Sequence, residues 1–213
     1  MAWSTVAVIR EMDDEKKAGL PVLSFADRAA FERWVGMQPP GCPGLWVKLA
    51  KKGSRVAGIA KSEAVDVALC HGWIDGQVRR RDEHTFKQRF TPRRARSAWS
   101  ERNVAIVERL AAGGHMHPAG LAQVERAKAD GRWAAAYAGP ASIEVPADLA
   151  RALAADADAS AMFGQLSSQN RYAVLYRIET AKRADTRARR IEQYVAMLSR
   201  GETIHPQRRP RAG

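Results

Sequence analysis

The residues best suited to do chemistry lie in one run, Thr91-Pro-Arg93-Arg94-Ala-Arg96-Ser97-Ala-Trp99-Ser100-Glu-Arg102-Asn103. Three guanidinium groups and two hydroxyls stand where a strand is expected to end and a helix to begin. A helix N-terminus carries unpaired N–H groups and a partial positive charge, and both favour an anion. Guanidinium forks bind phosphate or carboxylate through paired hydrogen bonds. Arg93, Arg94 and Arg96 are therefore candidates to neutralise an anionic ligand, and Ser97 and Ser100 to donate hydrogen bonds to it. Trp73 and Trp99 would wall the pocket. The plainer reading of the same residues has a serine capping the helix, Trp99 in the core and the arginines paired with acids elsewhere.

A second run, Cys70-His71-Gly72-Trp73-Ile74-Asp75-Gly76, sets a thiol, an imidazole and a carboxylate within six residues. Neighbouring Cys70 and His71 at a helix end point in different directions, which argues against a thiol nucleophile. Asp75 is expected to pair with Arg89 and orient it. It is also the candidate general base if the chain is an enzyme acting on a phosphorylated or carboxylated substrate, a reading held open beside a non-catalytic one. His115-Met-His117 is the only close histidine pair, and no cysteine or acid completes a ligand set. Glycine-rich phosphate loops are absent. Neither metal nor cofactor is expected.

These residues belong to a chain of 213 residues with 35 basic and 23 acidic side chains, a net +12. The excess is local. Residues 79–96 carry eight basic and two acidic groups, and residues 182–213 carry nine and three. Each segment is thus +6, while the rest of the chain nearly balances. A field of one sign concentrates counter-charged partners. An anionic small molecule or phosphate-bearing ligand is the expected partner. Nucleic acid, held through residues 79–96 and the C-terminal tail, is the alternative; solubility alone is the plain one. No stretch is long and apolar enough to span a membrane. The first ten residues lack the pattern of a secretory signal, and the two cysteines form no framework, so a cytoplasmic location is expected.

The elements that must position these groups divide the chain. Residues 1–20 read as a flexible lead. Residues 21–96 read as an α/β unit: a strand at Val22–Phe25, a helix capped by Asp27, a strand at Leu45–Leu49, and a helix capped by Ser62 and ending at Cys70. Trp73–Arg80 is expected to fold against His84–Thr91 as a hairpin around Arg81-Asp82-Glu83. That register pairs Ile74 with Phe90 and Val78 with Phe86 on one face, and Asp75 with Arg89 and Gln77 with Lys87 on the other. Residues 97–201 read as helices, with Pro118 at a first helical position, Ser167 or Ser168 as one cap and Asp185 as another. The last two helices can also be read as a helix-turn-helix presenting Arg187, Arg189 and Arg190. Residues 202–213 read as a disordered basic tail. The class is α+β: a small mixed sheet with a hairpin and two helices in the N-terminal half, and a helical C-terminal half.

Several blocks together carry a resemblance. They are Glu63-Ala-Val-Asp-Val-Ala-Leu-Cys-His-Gly-Trp-Ile-Asp-Gly76, Phe90-Thr-Pro-Arg-Arg94 with Ser97-Ala-Trp-Ser100 and Asn103, and Met116 with Ala119-Gly120. Ala127-Lys128 with Asp130-Gly-Arg-Trp133, and Ala181-Lys182 with Thr186-Arg187 and Arg189-Arg-Ile191, complete the set. Over residues 25–201 the chain resembles the bacterial YdeI/OmpD-associated, or bacteriocin-protection, family. The resemblance implies a role in stress response or in tolerance of antimicrobial peptides or bacteriocins. It brings no established reaction or cofactor, and family likeness alone is thin support for a function.

Overall fold

The computed structural model describes residues 9–11 and 19–207. They divide into two compact units, one built from residues up to 99 together with 103–135, the other from 100–102 together with 136 onward. The first therefore extends beyond the expected boundary at residue 96, because the helices at 103–112 and 118–129 cluster with the sheet. Of the expected lead, residues 9–11 form a strand; residues 1–8 and 12–18 lie outside the described residues.

The first unit runs β1 (Ile9–Glu11), β2 (Val22–Ser24), α1 (Arg28–Gly36), β3 (Leu45–Ala50), α2 (Lys61–Cys70), β4 (Trp73–Arg80), β5 (Thr85–Pro92), α3 (Glu101–Ala112) and α4 (Pro118–Ala129). Its sheet has the order β1-β2-β3-β5-β4, with β2 and β3 parallel and every other pair antiparallel. Parallel neighbours need a crossover, and α1 supplies it. The Asp27 carboxylate starts that helix by accepting from the Ala30 amide at 2.7 Å. Phe31 then reaches the sheet, its ring 4.9 Å from Phe25 and 5.6 Å from Phe90. Leu45, Val47 and Leu49 point to the same helix-covered side and are buried with Phe90. α2 begins one residue before Ser62, with the Ala60 amide donating to Glu63 Oε2 at 3.0 Å.

The hairpin forms, but in another register. Trp73 faces Pro92 and Asp75 faces Phe90; beyond a bulge after Asp75, Val78 faces Gln88 and Arg79 faces Lys87. Asp75 therefore does not pair with Arg89. Its carboxylate accepts from Gln88 Nε2 at 2.9 Å. Val78, expected against Phe86, is 54% exposed. Two forces decide this. β5 lies between β4 and β3, so its alternation answers to Leu45, Val47 and Leu49 as well as to β4. The turn is also longer than three residues: Asp82 Oδ1 accepts from the amides of His84 and Thr85, and Oδ2 from the Thr85 hydroxyl at 2.6 Å. These bonds, the Thr85 hydroxyl first, hold the Asp82 carboxyl down at about 2.

Two glycines mark tight approaches. Gly44 sits at φ +100°, and a Cβ there would lie 2.3 Å from the Phe90 carbonyl oxygen. Gly120, in the first turn of α4, lies against the end of α2, where a Cβ would stand 2.1 Å from the Cys70 carbonyl oxygen. The His117 amide donates to that same carbonyl at 3.1 Å.

The second unit packs α5 (Ala147–Ala154), α6 (Ala157–Gly164), α7 (Ser168–Glu179) and α8 (Ala184–Ser199). Leu149, Leu153, Phe163, Val174, Leu175, Ile178, Ile191, Tyr194 and Leu198 form its core. Ile191, Tyr194 and Leu198 recur at helical spacing, as their sequence pattern requires. Ser167 caps α7, whereas Asp185 lies inside α8 and Arg183 precedes it. Asp148 and Arg187 join α5 to α8 through two bonds of 2.6 and 2.9 Å. Arg187 is the main reason that the Asp148 carboxyl is lowered to about 2.

The chain beyond residue 201 is not loose from its start. The buried Asn170 amide donates to His205 O at 3.0 Å and to Gln207 Oε1 at 2.9 Å, and its Oδ1 accepts from the His205 amide at 2.8 Å. The rest of the expected tail, residues 208–213, lies outside the described residues.

Gly120→Ala should destabilise the protein by ~1–3 kcal/mol in denaturant melts, since backbone rather than a side chain must give way. Gly164→Ala, where a Cβ meets nothing within 4 Å, should be neutral within ~0.5 kcal/mol. The Asp148–Arg187 pair gives stability that is complete above the ordinary carboxyl pKa of about 4 and is lost as pH falls towards 2. Asp148→Asn should therefore cost ~1 kcal/mol at pH 7 and flatten the decline of stability between pH 4 and pH 2, read from melts across that range.

Candidate functional site

The junction after β5 separates its arginines. Arg93 turns inward, 6% exposed, with its guanidinium carbon 3.4 Å from the centre of the Trp99 ring and Nη1 donating to Ala98 O at 3.2 Å. Its amide donates to Gly72 O at 3.0 Å, fastening the strand end to the turn before β4. Arg94 and Arg96 are exposed. The Ser97 hydroxyl accepts from the Arg94 amide at 2.9 Å and closes the intervening turn. The Ser97 carbonyl accepts from Arg132 Nη1 at 2.8 Å. Ser100, in the second unit, forms a strand-like bridge with Tyr137.

Trp99 and Trp73 are both buried inside the first unit. Trp99 is 2% exposed and meets Trp133 edge to face at 4.8 Å; Trp73 meets Trp34 at 6.0 Å. Arg93 and Trp99 thus come together as a buried cation–ring stack. The inward Arg93 stands apart from the solvent-facing Arg94 and Arg96.

Cys70 is buried, and burial raises its thiol pKa, the opposite of what a nucleophile needs. His71 stacks on His117 with ring centres 4.7 Å apart, and its Nε2 is 3.8 Å from Glu32 Oε1. Burial first, and His117 second, lower the His71 pKa. His117 Nδ1 accepts from the Ala119 amide at 3.3 Å and caps α4. Among the described residues, no three His, Cys, Asp or Glu side chains gather as a metal site.

The helix-turn-helix reading of α7 and α8 meets an internal explanation of its arginines. Arg187 is committed to Asp148 and to the Ile178 carbonyl, and Arg190 donates to the Arg177 carbonyl. Arg189 is exposed.

The sheet itself provides the concentrated charge. On the face away from Phe90, register places Trp46 beside Arg89, Lys48 beside Lys87, and Lys87 beside Arg79. Lys48, Lys87 and Arg79 therefore form one row across three adjacent strands. On that face β3, β4 and β5 hold these three cations and Arg89, and register sets Glu11 of β1 in the same row as Val22, Trp46 and Arg89. Trp46 lies beside the row on β3, 5% exposed, with the Arg79 guanidinium 4.9 Å and the Lys87 ammonium 6.0 Å from its ring. Lys87 is likewise 5% exposed. The Arg89 Nε–H is buried and has no acceptor, and a buried donor left unmet costs about 1–3 kcal/mol.

Sequence reading singled out Arg89 on this face, took in Arg79 and Lys87 only as part of the basic segment 79–96, and passed over Trp46 and Lys48. Their signal was available in part. Thr85, Lys87, Arg89 and Thr91 alternate with Phe86, Gln88 and Phe90, as a strand polar on one side must. The proximity of Lys48 depends on pairing β3 with β5 across some forty residues, which local patterning does not encode.

Residues 23–123 match a family model described as a domain of unknown function (DUF8412). Residues 142–201 match the family described as "Bacteriocin-protection, YdeI or OmpD-Associated". The blocks at 63–76 and 90–103 thus fall in the first match, and the block at 181–191 in the second. No curated protein and no solved structure matches the chain. Among the described residues no helix is long and apolar enough to cross a membrane.

Arg93→Ala should cost ~1–2 kcal/mol in urea melts through loss of the Trp99 stack and its packing. Arg94→Ala and Arg96→Ala should each stay within ~0.5 kcal/mol of the parent. Equal effects at all three positions would contradict the inward placement of Arg93.

Proposed function

We propose that this protein, YdeI/OmpD-associated over residues 142–201, binds an anionic ligand on the cationic face of its sheet and acts without catalysis. The observation that carries the reading is the buried Arg89 Nε–H without an acceptor, on the sheet face where register sets Lys48, Lys87 and Arg79 in one row. A phosphate or carboxylate oxygen supplies that missing acceptor. Exposed Arg79, with Arg94 and Arg96 beyond the end of β5, extends the attraction outward. The match at 142–201 supports a setting in bacteriocin tolerance, with the bound anion as what this protein senses or sequesters there.

Asp75 as a general base receives no support from the register. It faces Phe90 and accepts from Gln88, on the opposite side of the sheet from the cations. Base-reading nucleic-acid binding is disfavoured by Trp46, whose ring is covered and offers no stacking face.

Lys48→Glu combined with Arg79→Glu should weaken binding of inorganic pyrophosphate or citrate at least tenfold in isothermal titration. That is the effect of losing about 1.4 kcal/mol of charge-assisted contact. Arg151→Glu combined with Arg189→Glu, the same change of net charge on exposed helical positions, should leave it within twofold. Equal losses for both pairs would reduce the effect to net charge and remove the site.

A further inference from the structure

We propose that the stacked rings of His71 and His117 form an acid-sensitive latch, holding the start of α4 against α1 and the end of α2 while both imidazoles are neutral. His71 follows the last residue of α2, and its side chain is 10% exposed. It lies against α1, with Cε1 3.6 Å from where a Cβ on Gly36 would stand and Nε2 3.8 Å from Glu32 Oε1. It also stacks on His117, with ring centres 4.7 Å apart and planes 20° from parallel. His117 immediately precedes α4. Its Nδ1 accepts from the Ala119 amide at 3.3 Å, and its own amide donates to the Cys70 carbonyl at 3.1 Å. One pair of rings thus ties three helices together.

The cap and the stack both need neutral rings. Nδ1 of His117 accepts a hydrogen bond only while that atom carries no proton. Serine, threonine, aspartate and asparagine, the usual residues at this position, keep their acceptor through mildly acidic pH. The first turn of α4 has no acidic residue, so no carboxylate there replaces a lost one. Protons on both rings would set two like charges face to face at 4.7 Å. The surrounding charges do not remove that conflict. Glu32 favours a proton on His71, but Arg28 shares its carboxylate at 4.0 Å. Asp66 of α2 is held by Arg109 of α3 at 2.7 Å, and His115, on the approach to α4, lies against Gly113. Burial first and His117 second hold the His71 pKa below the ordinary histidine value of 6.5, with Glu32 opposing them. As pH falls the unfolded chain therefore binds that proton first. The stability the latch gives is complete above about 6.5 and is lost below it.

The test is amide hydrogen exchange of the full chain, read on peptides from α4 and α8 at about pH 7.5 and about pH 5.5 and corrected for the intrinsic pH dependence of exchange. Protection over α4 should fall at least about tenfold at the lower pH, while protection over α8 should change less than about twofold. His117→Asn keeps a capping oxygen that does not titrate, and should hold the loss over α4 to less than about twofold. His117→Ser serves the same purpose if the asparagine variant does not fold. Unchanged protection of α4 in the parent protein would overturn the latch. A loss as large in His117→Asn as in the parent, or a matching loss over α8, would overturn it too, since the proton would then act elsewhere.

Discussion

β5 has no side that simply faces water, and most of the first unit follows from that. It is hydrogen-bonded along both edges, to β3 and to β4. Phe90 and Gln88 are buried on one of its faces, and Thr85 and Lys87 on the other. A strand held on both edges and covered on both faces cannot slip by one residue without reversing every side chain. Its register therefore fixes the helix-covered core, the bond from Gln88 to Asp75 and the row that Lys87 joins. Arg93, at its end, carries the same order into the following turn through Gly72 and Trp99.

This explains why some features were legible in the sequence and others were not. Signals that act within four residues read correctly: the Asp27 cap, Pro118 at the start of α4, Ser167 before α7, and the Ile191–Tyr194–Leu198 stripe. The hairpin was legible as a pair of strands because the alternation is strong. Its register was not, because the Asp75–Arg89 and Ile74–Phe90 pairs looked favourable in isolation. The decisive partners were Leu45, Val47 and Leu49, far back along the chain. The arginines after β5 show the same limit. Their spacing suggested a cluster, while the burial of Arg93 under Trp99 depends on where α3 and α4 bring Trp99 and Trp133.

The two basic segments of the chain also turn out to differ in kind. In α8, Arg187 and Arg190 are occupied by Asp148 and by helix-end carbonyls, so they serve to fasten helices together. A run of arginine in the first turns of a helix opposes the helix dipole, and here the carboxylate and the carbonyls of α7 offset that cost. Of the cations between residues 79 and 96, Arg79, Lys87 and Arg89 stand close together on one sheet face. Segment charge alone could not distinguish a helix tie from a row on a sheet.

The bonds around Asn170 bear on where the helical domain ends. The family match closes at residue 201, yet the Asn170 side chain, wholly enclosed, takes its acceptors and a donor from His205 and Gln207, and Gln207 reaches back to Ser167 and Gln165. The final six described residues are thus a plug for the amino end of α7. Sequence similarity thus traces a border six residues short of the one drawn by hydrogen bonding.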